Sequence, residues 1–518
     1  MSIQLIIILL YIAVTVVIGV LSMRKSTGSD SFHGAALGIF AIVAASTGEW
    51  LGGTATTGVS EYGFDFGLSG AWYTIANGIG VMFLALCFAK LYRSLNSVTV
   101  PGIIEKFFGV KARAVSSILL TIVMLAVGLS QMLAAGKLGE TLLGLNFNVT
   151  VIVFAIAFII YTLCGGMEAV ASTAKMHLFA MYGGVIIGLI FAVMKLGGVD
   201  AFMSALNSAN ISENTKAALA AANTPVTEAA SGDYFNMFRI GVPKVSSWII
   251  ASLLGACTAQ AGIQPVLAAK DVGSARKACI ITAFVAAPFG ILTALLGMAA
   301  KALFNNGTMV YADAAQTIIV NGKNALPTLM MNIHPNAVLS GIVGGIVLAS
   351  ILAAIISTVS PIILSAGTMV TKDIYQRILK PEASDKQVLF MSRVTTALSG
   401  VICAVSAIAL VNLSKILDIV YAAYSLRGAL FIVVLLGIYW KAATEKGACW
   451  SMVCTGIVAV GWKVYNMTVF TINEAGSKVY HYPIADWFTE TYAAVLVALI
   501  ATIVFSLVFP KKTLRAAS

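Results

Sequence analysis

Ser357 and Thr358 place two adjacent hydroxyls deep in an apolar run, one turn after Ala354. Hydroxyl and carbonyl oxygens are what a dehydrated hard cation needs. In hydrocarbon such a cluster is costly unless it is satisfied internally or faces a pathway. The pattern argues for a bound sodium ion, and the competing reading is that both hydroxyls bond back to carbonyls of the preceding turn. Two ionisable residues, Glu49 and Arg427, also lie within apolar runs. Ionisable groups at membrane depth mark functional sites and need a named partner. Glu49 suits an amine or other cation and Arg427 a carboxylate held through two N–H groups, which together fit a zwitterion such as an amino acid. The alternative is that the two pair with each other as a structural ion pair, or that Arg427 snorkels to the interface. Trp50, Trp72, Gln131, Thr258 and Gln260 add a few polar groups among apolar walls, the make-up of a small-solute pocket. His177 is read as a structural histidine that is able to titrate.

The elements that must position these residues are membrane helices. The 518 residues are 59% hydrophobic and 10% charged, with a mean hydropathy of +0.95. Soluble domains carry about 25% charged residues, so the composition is that of an all-α polytopic membrane protein. Apolar runs near 3–22, 35–60, 68–90, 114–136, 148–166, 176–197, 244–266, 278–303, 337–370, 388–412, 415–439, 446–466 and 488–509 predict about thirteen spans. The first run has neither a basic leader nor a convincing cleavage site and reads as a true span. The net charge of +11 comes from lysines and arginines scattered among loops, which fits the positive-inside rule better than a nucleic-acid surface. That rule puts the N-terminus outside and the C-terminus in the cytoplasm. The seven cysteines show no CxxC or ligand-like spacing, so they predict neither a disulfide framework nor a zinc site. The loop over 198–243 reads as polar and not a separate domain, and that over 304–336 is expected to hold a short amphipathic segment around Ala314–Val320. The tail from Lys511 to Ser518 is too short for a regulatory module.

Two spans read as broken. Ala44–Gly58 is too rich in glycine and threonine for a plain helix, and Gly255–Pro265 holds Gly255, Gln260, Gly262, Gln264 and Pro265 in mid-span. They lie five spans apart, in the second and seventh. Matching interruptions in two halves point to an inverted-repeat transporter whose site lies near the midplane. Close helix packing through small residues is the alternative for either segment alone.

At this point the chain resembles the sodium:solute symporter family. The matching segments are Val100-Pro101-Gly102 through Phe108-Gly109, Gly165-Gly166-Met167-Glu168-Ala169-Val170 with Thr173, and Gln264-Pro265 followed by Ser274-Ala275-Arg276-Lys277-Ala278. Ile351–Tyr375, ending Asp373-Ile374-Tyr375, and Tyr439-Trp440-Lys441 through Gly447 extend the match over nearly the whole chain. The resemblance implies a leucine-transporter-type 5+5 inverted repeat as a single domain over 1–518. Its parts would be an extra N-terminal helix (3–22), a first repeat (35–197), a second (244–439) and two C-terminal helices (446–509). It also implies alternating access and sodium-driven uptake across the cell's plasma (inner) membrane. The shared sodium site then falls on Ala354, Ser357 and Thr358, with Ala45 and Gly48 as partners in the broken second span. Members with a second sodium site carry an Asp after the signature threonine and a hydroxyl after Ser360. Here those positions are Ala174 and Pro361, so one sodium per cycle is expected, and the resemblance also places Tyr421 at the substrate site, where the family's sugar transporters carry a glutamine, which argues against a hexose.

Other classes fit less well. HExxH and nucleophile-elbow signatures are not evident, which argues against an enzyme, and no repeated filter or charged ring suggests a channel. Proton coupling through Glu49 is the serious alternative, as is sodium symport of a carboxylate or other non-amine solute.

Overall fold

In a low-dielectric surround every backbone N–H and C=O must be paired within its own segment, so the apolar runs become helices. The structure, a computed structural model, describes residues 2–23, 37–206, 212–213, 215–217, 234–308, 310–313, 316–319, 322–411, 415–472 and 478–510. The first run forms α1 (Ile3–Met23). The broken second run gives α2 (Ile39–Trp50) and α3 (Val59–Phe66), joined through Leu51–Gly53 and a wide helical turn at Thr54–Gly58. Then come α4 (Trp72–Phe83), α5 (Ala89–Ser94), α6 (Val100–Phe108), α7 (Val110–Leu143), α8 (Phe147–Leu196) and α9 (Val199–Ala205). The second broken run forms α10 (Val242–Gly255) and α11 (Gln260–Leu267), followed by α12 (Val272–Ala286) and α13 (Phe289–Asn305). A hairpin of β1 (Val310–Asp313) and β2 (Gln316–Ile319) precedes α14 (Gly322–Met331) and the long α15 (Ala337–Thr368). The remaining elements are α16 (Asp385–Leu410), α17 (Ile416–Tyr439), α18 (Glu445–Thr468), a hairpin of β3 (Phe470–Ile472) and β4 (Lys478–Tyr480), and α19 (Glu490–Val508).

Among the described residues nine helical runs are long and apolar enough to cross a membrane, or ten if the pair bent by 41° at Thr258–Gln260 is one span. Ile3–Gly19, Ile39–Trp50 and Phe147–Leu163 are shorter apolar helices. Length and composition therefore support nine or ten crossings against the thirteen expected. The expected spans 148–166 and 176–197 appear as one helical run of 50 residues. A straight helix would hold Tyr161 and Thr173 about 18 Å apart along its axis, yet their hydroxyls are hydrogen-bonded. The run must therefore bend sharply between them, and the side chains of 164–169, which carry most of the glycine-glycine signature, lie outside the description. Of the segment expected near Ala314–Val320, Gln316–Ile319 forms strand β2 and the other residues lie outside the described ones, as does the tail from Lys511.

Helix ends follow local chemistry. Thr99 accepts from the Gly102 amide with Pro101 in the first turn of α6, Asn336 caps α15 through the Val338 and Leu339 amides, and Ser384 and Gln387 form a reciprocal box at α16. The chain turns out of α3 at Gly67, whose φ of 69° favours glycine. Helix α15 is the hub, buried along almost all its length from Ser340 to Thr368 and packed by α1, α7, α8 and α16. Helices α1, α16 and α19 instead expose apolar faces, such as Leu10, Val405 and Leu507, as a lipid-facing layer must.

Candidate functional site

The site is built where the two broken runs meet. Helix α2 stops at Trp50, and its last helical bond runs from the Leu51 amide to the Thr47 carbonyl (3.0 Å). Helical bonding resumes from the Thr56 amide to the Gly52 carbonyl (3.1 Å). Gln131 of α7 holds this gap: its Oε1 accepts from the Gly53 amide (2.7 Å) and its Nε2 donates to Thr54 Oγ1 (2.8 Å). A side chain from another helix thus supplies the cap that a restarted helix needs in hydrocarbon. In the second run the backbone leaves the helix at Ala259 (φ −74°, ψ 87°). The breaks touch directly. Ser46 Oγ donates to the Gly262 carbonyl (2.8 Å), and a Cβ placed on Gly262 would stand 3.0 Å from Trp50 Cζ2 and 3.4 Å from Glu49 Cγ.

Glu49 and Arg427 meet at this junction. Arg427 Nη1 lies 3.3 Å from Glu49 Oε1, and both side chains have 0% exposure. The arginine crosses the second break, with its Cγ and Nε 3.0 Å from where a Gly255 Cβ would be. Its backbone carbonyl accepts from Thr258 Oγ1 (2.6 Å). Its guanidinium stacks 3.5 Å over the Tyr424 ring and lies 5.2 Å from the Trp50 ring. Glu49 Oε2, Trp50 Nε1 and Arg427 Nε and Nη2 are buried without a hydrogen-bond partner among the described residues. A lone ionised side chain there would cost several kcal/mol, and pairing offsets only part of that. What remains is polar capacity that a solute can use.

The other candidates separate into two groups. Tyr421 stays near the pair: it stacks on Trp248 with centroids 4.2 Å apart and meets the edges of Tyr73 and Tyr424. Trp72, Gln131 and Gln260 are committed elsewhere. The Trp72 indole donates to the Met237 carbonyl (2.9 Å), and Gln131 holds the first break. Gln260 Oε1 accepts from the Val100 amide (2.7 Å) while its Nε2 donates to the Val98 carbonyl (3.2 Å). Sequence reasoning did not single out Tyr424 and Ser46. Tyr424 sits one turn before Arg427 on the same face, which is the signal that was available.

The oxygen cluster lies beside the pair, because Gly48 precedes Glu49. Thr358 Oγ1 donates to the Gly48 carbonyl across the helix interface and also approaches the Ala354 carbonyl (3.0 Å). Ser357 Oγ donates to that same Ala354 carbonyl (2.9 Å). Back-bonding to the preceding turn is therefore real, and Thr358 reaches the broken span as well. Ala45 is buried one turn earlier on α2. Pro361 adds an oxygen. It has no amide hydrogen, so the Ser357 carbonyl four residues earlier lacks its usual helical donor. That carbonyl oxygen is the atom nearest to where a Gly48 Cβ would stand, at 2.6 Å, so only glycine lets α2 approach it so closely. The grouped donors are all neutral oxygens, which fits a hard monovalent cation. Ala174 is buried and brings no oxygen of its own side chain.

Charged clusters close both ends of this region. At one end Asp418 accepts from the Tyr62 hydroxyl (2.6 Å) and pairs with Lys244 (3.0 Å), while Lys415 binds Asp65. At the other, Asp373 accepts from Thr99 Oγ1 (2.7 Å) and Arg113 Nε (2.8 Å), and Glu105 joins Arg113 to Arg377.

The family model described as sodium:solute symporter family matches residues 32–455. The chain belongs to that family. A sodium/glucose cotransporter of Vibrio parahaemolyticus is 25% identical over 85% of this chain and 81% of its own length. The high-affinity proline transporter PutP of Bacillus subtilis strain 168 is 26% identical over 77% of this chain and 79% of its own. A solved structure of a Na+-coupled sialic acid symporter, substrate-bound and outward-open, superposes with a TM-score of 0.71 at 17% identity, covering 99% of this chain and 100% of the other. Membership makes this chain a multi-pass membrane transporter of a sodium-coupled symporter family. The relatives' named solutes, a sugar and an amino acid among them, differ in chemistry, so the family alone does not choose the solute.

Proposed function

We propose that the protein is a sodium-coupled symporter that takes up a small zwitterionic or amine-bearing solute, amino-acid-like, by alternating access. One observation carries this reading: consecutive residues Gly48 and Glu49 offer a carbonyl to the oxygen cluster and a carboxylate to the buried pair. Sodium would be held by the Gly48 and Ala354 carbonyls and the Ser357 and Thr358 hydroxyls, with the freed Ser357 carbonyl beside them and Ala45 one turn away. Its binding fixes the last turn of α2 and so sets the direction of Glu49. A zwitterion replaces the Glu49–Arg427 contact charge for charge, its ammonium on Glu49 and its carboxylate on Arg427, so neither buried charge is left unpaired. Trp50 and Tyr421 complete the walls. One sodium per cycle follows from Ala174 and Pro361.

In this reading the ten longer crossings and the three shorter apolar helices are the thirteen spans. The helices from 35–197 and 244–439 form the two inverted repeats, and the broken runs are their first members. The Asp418 end faces outside with the N-terminus, and the Asp373 end faces the cytoplasm of a cell whose plasma membrane holds the protein. Reconstituted vesicles given an inward sodium gradient at clamped pH, against a panel of amino acids, amines, sugars and carboxylates, test the proposal. Sodium-driven accumulation of a zwitterion or amine is expected. Accumulation of a sugar alone would overturn the solute class. Uptake driven by a proton gradient without sodium would favour the second reading, proton coupling at Glu49, whose Oε2 is unpartnered among the described residues.

A further inference from the structure

At the Asp373 end a cavity of about 780 Å³ reaches the linker between α5 and α6. Asn96, Ser97, Val98 and Thr99 line it, together with Lys372 and Gln376 of the wide helix Met369–Leu379 that continues α15. The linker passes from surface to core within three residues, since Val98 is 41% exposed and Val100 0%. On its buried side stands Gln260, the first residue of α11 after the second break, with 0% exposure. Its side chain grips the linker on both sides of Thr99: Oε1 accepts from the Val100 amide (2.7 Å) and Nε2 donates to the Val98 carbonyl (3.2 Å).

These contacts close into a belt. Gln260 Nε2 also approaches Gln264 Oε1 (3.4 Å), which accepts from Ser365 Oγ of α15 (3.0 Å). Thr99 Oγ1 donates to Asp373 Oδ1 (2.7 Å), further along the same helical run, and accepts from the Gly102 amide (3.1 Å). The start of α6 thus straps α11 to the helix that carries Ser357 and Thr358. The linker turns at Asn96, whose φ of 49° is the only positive value at a non-glycine residue among the described residues. Backbone of this kind collects at switch regions. Two residues before Gln260, Thr258 bonds the Arg427 carbonyl, so one break serves both the buried pair and the strap.

We propose that Gln260 and the Val98–Val100 strap form the inner gate, the barrier that parts when sodium and solute leave into this cavity. The proposal rests on the sodium reading above, and its inward sense on the orientation given there. A neutral polar latch suits the task, because protein hydrogen bonds exchange for water at modest net cost and water from the cavity can replace those to Gln260 as the strap lifts. Sodium reinforces the latch. Thr358 joins α15 to Gly48 in the same arrangement in which Ser365 and Asp373 hold the belt closed, so an ion that favours the one favours the other. Gln260 is then a positioning residue that touches neither ion nor solute.

Hydrogen exchange of the purified full-length protein, read by mass spectrometry in sodium and in choline, tests the gate. Sodium should slow exchange in the peptide over 95–104, which holds the strap, and in the peptide over 44–53 at the first break. Gln260→Leu should keep the sodium protection at 44–53 and lose it at 95–104. By reciprocity it should also raise the sodium concentration of half-effect about two- to tenfold, the scale of one hydrogen bond. Thr99→Ser should behave as wild type and Thr99→Val as Gln260→Leu. Sodium protection at 44–53 with none at 95–104 in wild type would overturn the gate and leave the sodium site standing, whereas protection at neither would overturn both. An unaltered sodium response at 95–104 in Gln260→Leu would overturn the gate as well. The wild-type comparison needs no variant, so it decides even where a substitution fails to fold.

Discussion

Replacing Pro361 with alanine separates a ligand-freeing role from a merely structural one, because two effects should have opposite signs. Alanine in a helix interior is favoured over proline by about 3 kcal/mol, so the sodium-free protein should become more stable. The new amide hydrogen would also reach back to the Ser357 carbonyl, the oxygen that α2 approaches at Gly48. A helical hydrogen bond of about 0.5–1.5 kcal/mol net would then compete with sodium for that oxygen, weakening sodium about two- to tenfold. Thermal unfolding of the purified protein at increasing sodium, with choline holding ionic strength constant, reads both quantities. Stabilisation by a ligand follows RT ln(1 + [Na+]/Kd), so a weaker site moves the curve to higher sodium. A rise in sodium-free stability with the sodium dependence displaced is the expected pair. An unchanged sodium midpoint would refute the idea that Pro361 frees a ligand.

Two further perturbations follow from the same geometry. Glu49→Gln or Arg427→Gln alone should cost about 3–5 kcal/mol by stranding a buried charge, and the double variant should recover part of that loss while still failing to transport a zwitterion; chemical unfolding of the four proteins measures the coupling, and strict additivity would count against a direct pair. Burial raises the Glu105 carboxyl, but hydrogen bonds and charge from Arg377 and Arg113 outweigh it, so it lies below its ordinary value of 4.5. A group with a lowered folded pKa stabilises fully above its unfolded value and loses that contribution as pH falls through the folded one. Glu105→Gln should therefore flatten the acid side of the stability–pH profile below 4.5 and destabilise at neutral pH; an unaltered acid limb would show that the cluster does not hold this end.

The helical class, both breaks and the neighbourhood of Gly48 with Ser357 and Thr358 were legible in the sequence, because each leaves a local mark. Glycine, proline and glutamine in an apolar run announce unpaired backbone, and adjacent hydroxyls announce a polar cluster inside it. Long-range commitments left no such mark. Nothing local tells that Gln131 and Gln260 spend their amides on Gly53 and Val100, or that Trp72 bonds the Met237 carbonyl, since the partners lie far along the chain. Glu49 and Arg427 were open to two readings, and their side chains face each other. Pro361 was read only as a lost hydroxyl. Its effect on Ser357, four residues back, is equally a property of sequence, but its importance depends on Gly48 of another helix lying against that carbonyl.

Equilibrium binding of radioactive sodium to the purified protein, beside Thr358→Val, tests the central claim most directly and needs no knowledge of the solute. The side chain of Thr358 is the one that joins α15 to the Gly48 carbonyl. A single saturable sodium per protein is expected, weakened about tenfold or more when the hydroxyl is removed. Two sodium ions at saturation, no saturable binding, or unaltered binding by Thr358→Val would contradict it.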